Sequence, residues 1–148
     1  MAMRTILLLL LSAITASAIP SQRDSLAAAK RDAQGVYTAA QRTQDKAKFA
    51  EAISRLKAVG DLVVSANNAA LGAIKPGYPT DIKSLQARQS WDKKMGDVRR
   101  TLSGANREIT AFVVPSEMTP AGIRAVDALI RSIDKAIDAH HAACLNIR

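Results

Sequence analysis

His140 and Cys144 stand four residues apart. On a helix that spacing places an imidazole and a thiol on one face, two of the ligands a zinc ion needs. His141 points about 100° away from His140, so the two histidines cannot share an ion. No third ligand lies nearby in sequence. The expectation is that the chain binds no metal, that His140 completes an apolar stripe, and that His141 faces water near a helix C-terminus, where a cation is favoured. Cys144 is the only cysteine and cannot close an internal disulfide. It reads either as a small apolar residue or as a thiol that pairs between exported molecules.

The remaining polar groups give no catalytic constellation. Carboxylates occur singly beside bases: Asp92 with Lys93, Asp97 with Arg100, Asp127 with Arg131. The last pair has i, i+4 spacing and reads as helix decoration. There is no G-x-S-x-G nucleophile elbow, no glycine-rich phosphate loop and no N-x-[ST] sequon. No catalytic residue and no cofactor is assigned. Two features stay open. Lys30-Arg31 is either a solvated pair on a first helix or a dibasic cleavage site. Trp91, the only tryptophan, either packs in the core or forms the wall of a lipid pocket or a surface anchor, since its ring is apolar with one polar handle.

These side chains must be held by the elements around them. The opening "MAMRTILLLLLSAITASA" has a basic n-region at Arg4, an apolar run from Ile6 to Leu11, and a small-x-small site at Ala16-Ser17-Ala18. That is the pattern of a secretory signal peptide over residues 1–18. Its apolar run is short of the roughly 20 residues that span a bilayer. Residues 19–31 are then a pro-segment or the start of the first helix, and residues 32–148 a single helical domain. The expected location is secreted, extracellular or in a cell wall. The net charge of +8 favours anionic walls, membrane surfaces or a protein partner. Aromatics make up only 3%, too few for a base-stacking platform, so nucleic acid is not expected.

Glycine and proline gather at two places, "KPGYPTD" and "VVPSEMTPAG". These read as loops. Between them apolar residues step by three and four. Ile123, Val126, Ile130, Ile133, Ile137, His140 and Cys144 form the cleanest stripe, with Thr119 as N-cap and Pro120 in the first turn. Met95, Val98, Leu102, Ala105, Ile109 and Phe112 form another, in a helix expected to start at Thr80 or Asp81 and stop near Val114. Phe49, Ile53, Leu56, Gly60, Val63 and Ala70 give a third; Leu26, Ala29, Ala33, Val36 and Ala40 give a weaker fourth. No period-2 alternation occurs. The fold class is all-α, an antiparallel bundle of four or five helices, the count depending on whether long segments break at Gly60 or Gly96. Gly96 and Gly104 mark either a close helix approach or a bend.

The closing "VVPSEMTPAGIRAVDALIRSIDKAIDAHHAA", with a Val-Pro turn at Val114-Pro115 and an alanine- and isoleucine-rich helix through Ala128 to Ala139, resembles the fungal hydrophobic surface-binding protein A family, which includes cell-wall galactomannoproteins. Lys30-Arg31-Asp32 resembles that family's pro-segment junction. The resemblance implies a non-enzymatic helical protein that adsorbs to hydrophobic surfaces or holds a fatty acid among its helices. If helices 81–114 and 120–144 face each other, the lipid-binding residues along their seam are Met95, Val98, Leu102, Ile109, Ile130, Ile133 and Ile137, with Trp91 toward one end. Arg88, Lys93, Lys94 or Arg99 is then placed to meet a carboxylate. The alternative is a secreted effector that engages a host or competitor protein through a basic helical surface.

Overall fold

The computed structural model describes residues 19–147. The signal-peptide expectation falls on residues 1–18, outside the described part. Four helices follow one another: α1 (Arg23–Thr43), α2 (Lys46–Gly72), α3 (Leu85–Thr110) and α4 (Pro120–Asn146). No strand occurs among the described residues. Both α2 and α3 run unbroken through their glycines, so the described residues form four helices.

Local chemistry sets the ends. Gln44 takes the left-handed conformation (φ 53°) after α1, and Asp45 N–H donates to the Ala40 carbonyl, closing the C-terminus. Asp45 then caps α2 by accepting from Lys48 N–H at 3.0 Å. This tight link forces α1 and α2 antiparallel. Thr119 caps α4 through Gly122 N–H at 3.1 Å, with Pro120 in its first turn, as the spacing predicts. The cap of α3 differs from expectation. It is Ser84, accepting from Ala87 N–H at 3.1 Å, and not Thr80 or Asp81. The helix stops at Thr110, ahead of the anticipated Val114. The chain from 73 to 84 is thereby released as a long loop.

The helices pack up-down-up-down. α2 and α4 form the central diagonal and touch each other and both remaining helices, while α1 and α3 do not meet. Lys30 pairs with Asp134 at 2.8 Å, and the Tyr37 hydroxyl donates to Asp127 at 2.8 Å; these contacts run in opposite chain directions along α1 and α4. They also revise two readings. Asp127 is engaged by Tyr37 across the bundle, in place of the expected partner Arg131 on its own helix. Lys30-Arg31-Asp32 lies inside α1, with Lys30 half-buried against α4.

The core divides into two clusters. The larger gathers Leu26, Tyr37, Phe49, Leu56, Ile109 and Ile133, with their neighbours, from all four helices. The smaller sits at the other end, where α2 and α4 finish and α3 begins; Ala70, Met95, Val98, Leu102, Ala143 and Ile147 form it. Asn67, fully buried, lies between them. Its Nδ2 donates to Asn106 Oδ1 at 3.0 Å, and Asn106 Nδ2 donates to Asn68 Oδ1 at 3.0 Å.

Candidate functional site

The end of the bundle built on the smaller cluster carries two neighbouring concave surfaces. Its cover is the loop between α2 and α3. Gly77 has φ 90°, a conformation costly to any side-chain-bearing residue, and turns the chain between Pro76 and Pro79. The loop is clamped to α3 by Tyr78, whose hydroxyl donates to Asp92 Oδ2 at 2.9 Å. The Arg88 guanidinium lies 5.2 Å from the Tyr78 ring centroid. The Asp92 hydrogen bond holds the exposed Tyr78 phenol above its ordinary pKa, with lesser contributions from burial and the Asp92 charge, opposed by Arg88.

Beneath this loop is a cavity of about 330 Å³, lined by Ile74, Lys75, Tyr78, Trp91, Met95 and Ile147 among others. That volume falls within the range of small-molecule sites. Trp91 is half-buried, and Lys94 Nζ stands 5.8 Å from its ring centroid. A second groove of about 400 Å³ runs between α3 and α4. Val98, Ala139 and Ala143 give it an apolar lining, and Lys93, Lys94 and Asn146 a polar one. Alanines on α4 leave that space because they carry no side chain long enough to fill it.

The eight residues assigned to a lipid seam are not brought together as one line. Trp91 and Met95 reach the cavity, and Val98 the groove. Leu102 is fully buried within the smaller cluster. Ile109, Ile130, Ile133 and Ile137 belong to the larger cluster, with Ile109 at its edge beside a separate recess of about 220 Å³. Ile74, Tyr78 and Ile147 were missed. The first two stand around the Pro76-Gly77 turn, and an apolar or aromatic residue beside a proline-glycine turn was the available signal. Ile147 lies beyond the stripe that ends at Cys144.

His140 and Cys144 do share a face, with Sγ 3.6 Å from Nε2, and both are buried. Burial raises the thiol pKa, so the sulfur stays protonated and unreactive. Burial, and secondarily the charge of His141, lowers the His140 pKa. Among the described residues no three histidine, cysteine or carboxylate side chains converge on a metal position, and no helix is long and apolar enough to cross a membrane. Compared with protein-family models, with curated proteins and with solved structures, the chain matches none.

Proposed function

We propose that this chain is a non-catalytic, exported protein of the extracellular space or cell wall that binds apolar surfaces or a lipid of the fatty-acid class at the Trp91 end of its bundle. The observation that carries this reading is the cavity of about 330 Å³ whose walls include Trp91, Met95 and Ile147, with Lys75 at its margin. Each methylene that leaves water there contributes about 0.8 kcal/mol, and a lysine beside the opening complements a carboxylate. Exposed Tyr78, Leu85 and Leu145 lie on elements that meet at the same end, which suits end-on adsorption to a hydrophobic surface. The resemblance of the last third to hydrophobic surface-binding protein A supports the same reading, as does the leader pattern of residues 1–18.

The test is a titration with a long-chain fatty acid below its micelle threshold, followed by Trp91 fluorescence and calorimetry. Saturable binding is expected, weakened by Ile74→Phe, which fills the cavity without adding a second indole. Heat and fluorescence that stay flat throughout the titration sink the internal-lipid mechanism. A second reading, an effector that engages an acidic partner protein, draws on exposed Arg88, Lys93, Lys94, Arg99 and Arg107 along α3. It predicts association that weakens steeply with salt and with Arg99→Glu, whereas cavity binding of a neutral lipid is nearly insensitive to both.

A further inference from the structure

Four residues ahead of α1 cross the end of α4 as a strap. Ile19 packs against the smaller apolar cluster, to which Trp91 and Ile74 also belong. Ser21 Oγ lies 2.8 Å from His141 Nδ1. The Gln22 backbone N–H donates to His140 Nε2 at 3.1 Å. Pro20, Ser21 and Gln22 are otherwise exposed. An apolar side chain is therefore seated at the proposed ligand-binding end, and two histidines tie it there.

We propose that residues 19–22 form a proton-released plug: Ile19 occupies apolar space that a lipid chain competes for, and protonation of His140 at Nε2 unties the strap. The assignment of that space to a lipid rests on the function proposed above; the latch does not.

The two ties respond differently to a proton. A backbone N–H can only donate, so Nε2 must be the unprotonated nitrogen of a neutral imidazole carrying its hydrogen on Nδ1. A proton added at Nε2 sets two donors against each other. The Ser21 hydroxyl can donate or accept, so its contact with His141 tolerates a proton; that contact is exposed and exchanges with water, so it does not hold the strap once the Gln22 tie is lost.

No buried carboxylate is at hand to hold a charged His140. On α4 its ionisable neighbours are His141, Cys144 and the exposed Asp138; on α1 they are Arg23 and Asp24, both exposed. The buried faces of α2 (Val59, Val63, Ala66, Asn67, Ala70) and α3 (Met95, Val98, Leu102) carry no charge. In a chain cut after Ala18, the α-amino group of Ile19 adds one more cation. Water reaching Nε2 is the available relief, and lifting a short exposed strap admits it at less cost than opening the bundle.

The direction follows by linkage. Burial holds His140 below its ordinary value of 6.5 while the strap is tied. The tie is at full strength above that pH and weakens as pH falls through the value His140 has in the tied state. Release strengthens by about tenfold for each pH unit separating the tied and released midpoints.

The experiment is an NMR titration of the purified chain from pH 7.5 to 4.5, reading the His140 imidazole and the Gln22 amide together. Both are expected to move with one midpoint while far-ultraviolet circular dichroism holds. His140→Gln keeps an acceptor that does not titrate, and its Gln22 signal should stay flat. Ile19→Gly, at a peripheral position, should raise the His140 midpoint toward 6.5. A Gln22 amide blind to the His140 titration, or a midpoint unmoved by Ile19→Gly, overturns the latch. Binding of 1-decanol, whose head group does not titrate, should tighten as pH falls. Strap release without tighter decanol binding overturns the plug. Decanol binding at no pH, with the latch intact, rejects the lipid reading and with it the plug, leaving the latch standing.

Discussion

Tyr37 fastens α1 to the first turns of α4 through one hydroxyl, which donates to Asp127 Oδ1 at 2.8 Å and lies 3.2 Å from the Ile123 carbonyl. The ring is buried and stands 6.1 Å from that of Phe49, so the contact bridges three helices. Tyr37→Phe keeps the ring and removes the donor. The expected cost is about 1–2 kcal/mol, because a half-buried Asp127 loses its partner. Burial, then the Asp127 hydrogen bond, then the Asp127 charge raise the Tyr37 pKa above its ordinary 10.0. A group raised in the folded state stabilises fully below its unfolded value and loses that contribution as pH rises beyond it. Urea midpoints of wild type and Tyr37→Phe should therefore differ at pH 7 and converge above pH 10. A constant gap across that range argues against the assigned role. The sequence named Asp127 but gave it Arg131, the partner one turn along its own helix. Spacing reveals partners within a helix; Tyr37 is a partner only because α1 folds back on α4.

Helix packing shows the same division between what a single segment discloses and what its neighbours decide. The stripes on α4 and α3 were legible because burial follows a three- and four-residue rhythm, and Thr119-Pro120 is an unambiguous start. Ser84 was not, since Thr80, Asp81 and Ser84 are all competent caps and the Tyr78 clamp belongs to tertiary structure. The glycines are more instructive. Gly96 and Gly104, which the sequence reads as a close approach or a bend, are neither crowded nor a break in α3: a Cβ at either meets nothing within 4 Å and the helix runs through both. The close approach is at Gly60, where a Cβ would stand 2.9 Å from Ile109 Cγ2. Gly60→Ala gains helix propensity worth about 1 kcal/mol but must displace a β-branched side chain wedged between α2 and α3. Because a β-branched side chain gives way poorly, the expected net effect is destabilising, by up to about 2 kcal/mol once overpacking costs of about 1–3 kcal/mol are set against that gain. Ile109→Ala deletes the opposing methyl, so the double variant should be less destabilised than the two single losses added together. Strict additivity in that denaturation cycle means the two positions do not press on each other.

At the scale of the whole molecule, the expected single seam became two apolar clusters with an asparagine layer between them. A trace of this is in the sequence: the α2 stripe steps from Val63 to Ala70, and the intervening core position is Asn67. What could not be read is that Asn106 would stand opposite it, or that Asn67 Oδ1 would be buried without a partner. Such an acceptor costs about 1–3 kcal/mol, and it is placed where the two clusters would otherwise merge. The smaller cluster is thus weakly coupled to the larger one and closed by a loop and a strap instead of a fourth helix. Native-state hydrogen exchange should find the last turns of α4 and the first half of α3 opening at lower free energy than the midsections of α2 and α4. Asn67→Leu replaces the orphaned acceptor with an apolar side chain of similar size, and Asn106, half-buried, can turn to water and Asn68. That variant should gain about 1 kcal/mol, since the penalty for the unpaired acceptor disappears. It should also raise the protection of the smaller cluster toward that of the larger. Uniform exchange across both clusters in the wild type, or an Asn67→Leu protein that still opens first at the Trp91 end, refutes the division of the bundle into a rigid half and a yielding one.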